Sequence, residues 1–121
     1  FLASFASFAG VSPEENGAPD SLDVMDALLG KDPNGRDELV TQGVGAKTVV
    51  RQGDWVFIPP HEGQRVMDTT GIETGNLEED QLYNLSLDIG QIRNVAAAKP
   101  EIVERMRARL EQILAGDRTR P

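Results

Sequence analysis

Few residues of this sequence carry side chains able to do acid–base or nucleophilic chemistry, and they do not assemble into a recognised set. His61 is the single histidine and directly follows Pro59-Pro60. An imidazole can serve as a base or a metal ligand. A metal centre or an acid–base unit needs further donors at defined spacing, and His61 has no cysteine, second histidine or paired carboxylate beside it. Asp32-Pro33-Asn34-Gly35 and Asp68–Glu79 have the look of calcium loops, but Arg36 and Ile72 fall on ligand positions, so both read as turns. Gly30-Lys31 lacks the preceding glycines of a phosphate loop. Asn84-Leu85-Ser86 fits an N-glycosylation acceptor, yet it falls on an expected strand among apolar neighbours. Trp55 and Tyr83 have rings able to stack on a sugar or aryl group, and each also sits where a small sheet needs a large core side chain.

The elements that must position these residues belong to one small domain of 121 residues. Aromatics are scarce, so Leu, Ile, Val and Met must supply most of the core. A net charge of -8 argues against a nucleic-acid or anionic-membrane surface. The acids are unevenly placed: residues 1–30 hold Glu14, Glu15, Asp20, Asp23 and Asp26 and no base. Cysteine is absent, which rules out disulfides and thiol chemistry within these residues. No apolar run reaches the roughly 18–20 residues needed to span a bilayer.

Phe1–Gly10, FLASFASFAG, places Phe1, Phe5 and Phe8 with Leu2 on one helical face, and Gly10 suits the stop. Its apolar start, without an initiator Met or N-cap, predicts a helix cut from a larger protein, with Phe rings exposed unless they dock or dimerise. Val11–Asp20 reads as a loop and Ser21–Leu29 as a short helix capped by Ser21 or Asp20. Glu38–Thr41 is a short strand candidate. Thr48–Ile58 reads as a hairpin with Gln52-Gly53 as its turn, which sets Arg51 against Asp54, Val50 against Trp55 and Thr48 against Phe57. A longer loop shifting that register stays open. Pro59-Pro60 ends the second strand. Residues 61–76 form a polar, Gly-rich loop in which Arg65–Asp68 has the pattern of a short edge strand. Gln81–Leu85 is a strand and Asp88-Ile89-Gly90 a turn. Pro100 opens an amphipathic helix with Val103, Met106, Leu110 and Ile113 on one stripe, stopped by Gly116. The expectation is α+β: a small antiparallel sheet of about four strands against the C-terminal amphipathic helix, with short N-terminal helices. Residues 1–10 are then the remnant of the preceding helix, 11–116 the module, and 117–121 a frayed tail.

Taken in order, these pieces resemble the C-terminal subdomain of the sulfatase family, of the arylsulfatase type. Asp20–Gly30, DSLDVMDALLG, is similar to a family segment of the form Asp-Gly/Ser-x-Ser-Leu-x-x-x-Leu-x-Gly. Val49–Ile58, VVRQGDWVFI, resembles the A-L-R-x-G-x-W-K-L-I hairpin. Gln81–Asp88 with Asn94–Ala96 resembles E-L-Y-N-L-x-x-D-P-x-E-x-x-N-L-A, followed by the H-P-E-x-V helix start at Pro100–Val103. Val56 replaces a common Lys, Ile89 and Gln91 the Pro and Glu of the turn, and Lys99 a frequent His.

The resemblance implies a parent enzyme that hydrolyses sulfate esters through a formylglycine made from a C/S-x-P-x-R box, with a calcium ion holding the sulfate. That box and a clustered Asp/Asn set are absent from these residues, so no catalytic, cofactor-binding or metal residue is assigned. The implied partner is an N-terminal catalytic domain of the same protein, in a periplasmic or extracellular setting. Within such a parent the subdomain shapes the substrate cleft, with His61 and the 61–76 loop as candidates, and by itself it is expected to be inactive. Two other readings stay open: a stand-alone carbohydrate- or protein-binding module using Trp55 or Tyr83, and a phosphodiesterase or phosphonate-hydrolase parent related to alkaline phosphatase.

Overall fold

Residues 48–58 place two runs rich in β-branched and aromatic side chains on either side of Gly53, the composition of a hairpin. In the computed structural model they form β2 (Thr48–Gln52) and β3 (Trp55–Ile58), preceded by β1 (Glu38–Gln42) and followed by β4 (Gln81–Asn84). The structure describes residues 1–12, 17–43, 47–116 and 119. The chain divides into two units, Glu38–Glu111 and Phe1–Asp37 with Gln112–Pro121.

In the unit Glu38–Glu111 the four strands run in the order β1-β2-β3-β4, each antiparallel to the next. The hairpin turn is Gly53-Asp54, one residue later than the expected Gln52-Gly53. Gln52 therefore pairs with Trp55, Arg51 with Val56 and Val50 with Phe57. Gly53 takes φ +55 at the first central position, where the mirror-image turns of hairpins require a left-handed residue. The expected Arg51/Asp54 pair gives way to a bond from Arg51 Nε to the Gly53 carbonyl at 2.8 Å. The corrected register stacks Val50, Phe57 and Leu82 across three strands, and all three are fully buried.

A 3-10 turn at Ala96–Ala98 leads into α3 (Pro100–Ala115). Val103, Met106 and Leu110 on α3 are buried, as its 3.6-residue stripe predicts. Two arginines fix the helix over the Val50/Phe57/Leu82 face. The Arg107 guanidinium lies 5.4 Å from the Phe57 ring centre and pairs with Asp80, and Arg109 pairs with Glu38. On the other sheet face Gln81 and Tyr83 are buried as well, with Gln81 Nε2 donating to the Gly75 carbonyl at 2.9 Å. The 61–76 loop thus covers that side of β4.

The other unit holds α1 (Leu2–Phe8) and α2 (Met25–Leu28). Both helices end in the paired bonds of a Schellman closure, Gly10 to Ser7 with Val11 to Ala6, and Gly30 to Ala27 with Lys31 to Asp26. α2 is shorter than the expected Ser21–Leu29 because Ser21 is engaged elsewhere. Its hydroxyl accepts the Ala3 amide at 2.9 Å, capping α1 from a distance. Ser4 Oγ accepts the Val24 amide at 2.9 Å, and Asp23 Oδ1 accepts the Met25 amide at 3.0 Å in an Asx turn just before α2, whose N-cap position is Val24. The Val11–Asp20 loop and the tail 117–121 lie partly outside the described residues. Of that tail, Thr119 bonds through its amide and hydroxyl to Asp20 Oδ1, at 2.8 and 3.0 Å.

Candidate functional site

His61 opens the 61–76 loop, its amide donating to the Leu77 carbonyl at 2.8 Å. Its ring is half-buried, with Nδ1 3.4 Å from the Glu62 carbonyl. No three His, Asp or Glu side chains converge on a metal-binding geometry among the described residues. The donor set present here does not fit a calcium site, and Asp32 uses its carboxylate to accept the Asn34 amide at 2.9 Å in an Asx turn.

The loop is held by a residue that sequence reasoning passed over. Lys47 is about nine-tenths buried, and its ammonium donates to the Thr74 carbonyl and, at 2.7 Å, to Asn76 Oδ1. Asn76 Nδ2 in turn donates to the Gln64 carbonyl at 3.1 Å, and the Thr74 hydroxyl to the same carbonyl at 2.6 Å. Gly63 permits that approach, since a Cβ there would stand 2.7 Å from Asn76 Nδ2. The expected edge strand at Arg65–Asp68 is instead the first arm of a small turn, with a single bridge between Val66 and Glu73. It folds back on itself because Gly71 and the 67–70 turn close it locally, away from the main sheet. A lone lysine beside glycines gives no sequence signal for this role.

Tyr83 is buried, and its hydroxyl donates to Gln81 Oε1 at 3.0 Å. Burial, with the carboxylates of Glu73, Asp88 and Glu79 nearby, pushes its phenol above the ordinary range. Trp55 is half-buried within the sheet, opposite Gln52 and Asn84. Tyr83 is thus too buried to offer the open face that stacking on a sugar requires, whereas Trp55 is only partly covered. Asn84 Oδ1 is occupied by the Ser86 amide and hydroxyl at 3.0 and 2.6 Å, so the Asn84-Leu85-Ser86 triplet is a turn that ends β4.

Asn94 brackets the connector that follows. Its Oδ1 accepts the Leu82 and Ala96 amides, both at 3.0 Å, and its Nδ2 donates to the Asp80 carbonyl at 2.9 Å. Asp88 fixes the intervening turn by accepting the Ile92 amide at 3.1 Å and the Arg93 amide at 2.7 Å.

In the first unit, Ala3 and Ser4 face inward while Phe1, Leu2, Phe5 and Phe8 are 74%, 59%, 60% and 73% exposed. The Phe1 and Phe5 rings lie 6.5 Å apart, centre to centre. The expected apolar face is therefore present and open among the described residues.

No protein-family model matches the chain. Among curated proteins, an N-acetylgalactosamine-6-O-sulfatase of Bacteroides thetaiotaomicron is 35% identical over 112 residues, covering 90% of this chain and 22% of the relative. A solved sulfatase structure from work on the metabolism of multiple glycosaminoglycans by the same species superposes with a TM-score of 0.89 at 33% identity, over 96% of this chain and 24% of that one. The chain thus spans about a quarter or less of the length of the proteins it matches. With the ordered hairpin, Leu-Tyr-Asn strand, Asn94 bracket and Pro-started helix, these likenesses assign the chain to the sulfatase family, as its C-terminal subdomain.

Proposed function

We propose that this chain serves as the cleft-shaping C-terminal subdomain of an enzyme that hydrolyses sulfate esters, and that the chemistry resides in an N-terminal catalytic domain of the same protein. The observation that carries this reading is the asymmetry of the matches: they cover 90% and 96% of this chain and 22% and 24% of the two sulfatases. The open Phe1/Phe5/Phe8 face supports it, because a contiguous apolar patch on a small domain marks a docking surface. We assign that face to the catalytic domain rather than to a second copy of the chain. Formylglycine and calcium belong to the proposed catalytic domain, since the described residues offer no fitting donor set for the metal and the sequence no C/S-x-P-x-R box. His61 and the Lys47-anchored loop form the part of the cleft wall contributed from this side. The parent is read as a periplasmic or extracellular protein acting on sulfated glycans, in line with the two relatives.

The codons upstream of Phe1 provide the test. A C/S-x-P-x-R box there, with Asp and Asn ligands around it, is the expected finding. An unrelated domain or a start codon would overturn the proposal. Turnover of an aryl sulfate by the purified 121-residue chain, in proportion to its concentration, would overturn it independently.

A further inference from the structure

The unit Glu38–Glu111 contains a polar cleft of about 160 Å³ on the sheet face away from α3. Its floor is the edge of the Tyr83 ring, one wall is the turn bearing Arg65 and Glu73, and the other wall is the turn bearing Gln91, with Glu79 at the rim. The space corresponds to about five liquid waters, room for one sugar ring and too little for a drug-sized ligand.

Both walls are built before any ligand arrives. Lys47 fixes the first through Thr74 and Asn76, and Asp88 fixes the second through the Ile92 and Arg93 amides. Gln91 is held at φ +52, a left-handed conformation uncommon for a residue with a side chain. Meanwhile the groups inside are left over. Arg65, Glu73, Glu79 and Gln91 side chains make no hydrogen bond or ion pair with one another among the described residues, although a guanidinium and two carboxylates share one small space.

We propose that this cleft binds a single hydroxyl-bearing sugar ring that carries no anionic group. Arg65 and the Gln91 amide supply donors, and Glu73, Glu79 and the Gln91 carbonyl supply acceptors. Hydroxyl groups both donate and accept, so an alternating set of this kind suits them, whereas a simple ion uses only half of it. Charge selects further. Two carboxylates against one guanidinium, with Asp88 close behind, disfavour a sulfated or carboxylated ring. Recognition comes from polar edges on rigid turns, not from stacking on Trp55 or Tyr83. The inference stands on this unit's own geometry, so it survives or fails separately from the upstream catalytic domain.

The test is a titration of the 15N-labelled 121-residue chain with methyl galactoside and its 6-sulfate, followed by amide NMR. Methyl galactoside is expected to shift the Gln91 side-chain amide and the backbone amides of Glu73, Tyr83 and Ile92, with half-saturation in the millimolar range. The sulfated sugar should bind about tenfold more weakly. Arg65→Met and Glu79→Gln should each weaken the neutral sugar about tenfold or more while the spectrum of the free protein stays dispersed. Should Arg65→Met disturb folding, Glu79→Gln carries the reading, because Glu79 is exposed. No shift up to about 100 mM sugar, shifts centred on Trp55, or equal or tighter binding of the sulfated sugar would each overturn the proposal.

Discussion

Arg109 grips Glu38 with two parallel bonds, Nε to Oε2 at 2.8 Å and Nη2 to Oε1 at 2.7 Å, across 71 residues of sequence. The pair ties the first strand of the sheet to α3, and it is the longest-range polar link in its unit. Both side chains are about three-quarters buried, and Gln52 Nε2 adds a third bond to Glu38 at 3.0 Å. The hydrogen bonds that Arg109 donates to Glu38 hold the guanidinium pKa above its ordinary range. A raised pKa gives stability that is present below the unfolded value and lost only above it. For arginine that window lies beyond ordinary buffers, so the pair should be insensitive to pH between about 5 and 9. Arg109→Ala should cost about 1–2 kcal/mol in urea unfolding, and Arg109→Lys, which loses the two-pronged geometry, about half of that.

Asp23 is expected to show the opposite sign. The Ser7 hydroxyl, followed by the Met25 amide, lowers its carboxyl below the ordinary 3.8. A lowered pKa gives stability present above the unfolded value and lost as pH falls through the folded one. Ser7→Ala should therefore return the Asp23 titration toward 3.8, read from its carboxyl carbon shift, and α2 should fray at a higher pH than in the parent chain.

Removing Lys47 should free the loop without dissolving the sheet. In Lys47→Met the Thr74 carbonyl and Asn76 amide lose their shared donor, while the stem of the side chain is retained. Trypsin cleavage after exposed Arg65 should accelerate about tenfold, corresponding to ~1.4 kcal/mol of local opening. An unchanged cleavage rate would show that the loop is held by its other contacts.

Gly53→Ala isolates backbone strain from crowding. No atom lies within 4 Å of the position a Cβ would take, so the cost comes from φ +55 alone. The variant should lose about 1 kcal/mol, and Gly53→Asn noticeably less.

The elements that follow from local rules were legible in the sequence. Runs of β-branched and aromatic residues around a turn glycine marked β2 and β3, the Pro100 start and the 3.6-residue stripe marked α3, and the small inner face of α1 left its Phe rings outside. The hairpin register was not, because Gln52-Gly53 and Gly53-Asp54 both satisfy the turn, and the choice depends on which pairing buries Val50 against Phe57. α2 shrank for a similar reason. Whether Ser21 caps its own helix or the amide of Ala3, 18 residues away, is a tertiary matter that no local pattern records. The cleft was invisible because the turn bearing Arg65 and Glu73 and the turn bearing Gln91 are distant in sequence, and each is held in place by a bracket, Lys47 or Asp88, that no local pattern records. Nothing in the structure raises His61 above the place in the loop that its sequence position assigned it.

The Asn94 bracket has a consequence for self-association. β4 is the last strand of the sheet, and edge strands commonly recruit strands from other chains. Here four outward-facing groups are already spent: the Asp80 carbonyl and Leu82 amide on Asn94, the Leu82 carbonyl on the Val95 amide, and the Asn84 carbonyl on Leu87 and Asp88. The connector therefore acts as a false fifth strand, closing this edge to domain swapping and fibril growth until Asn94 lets go.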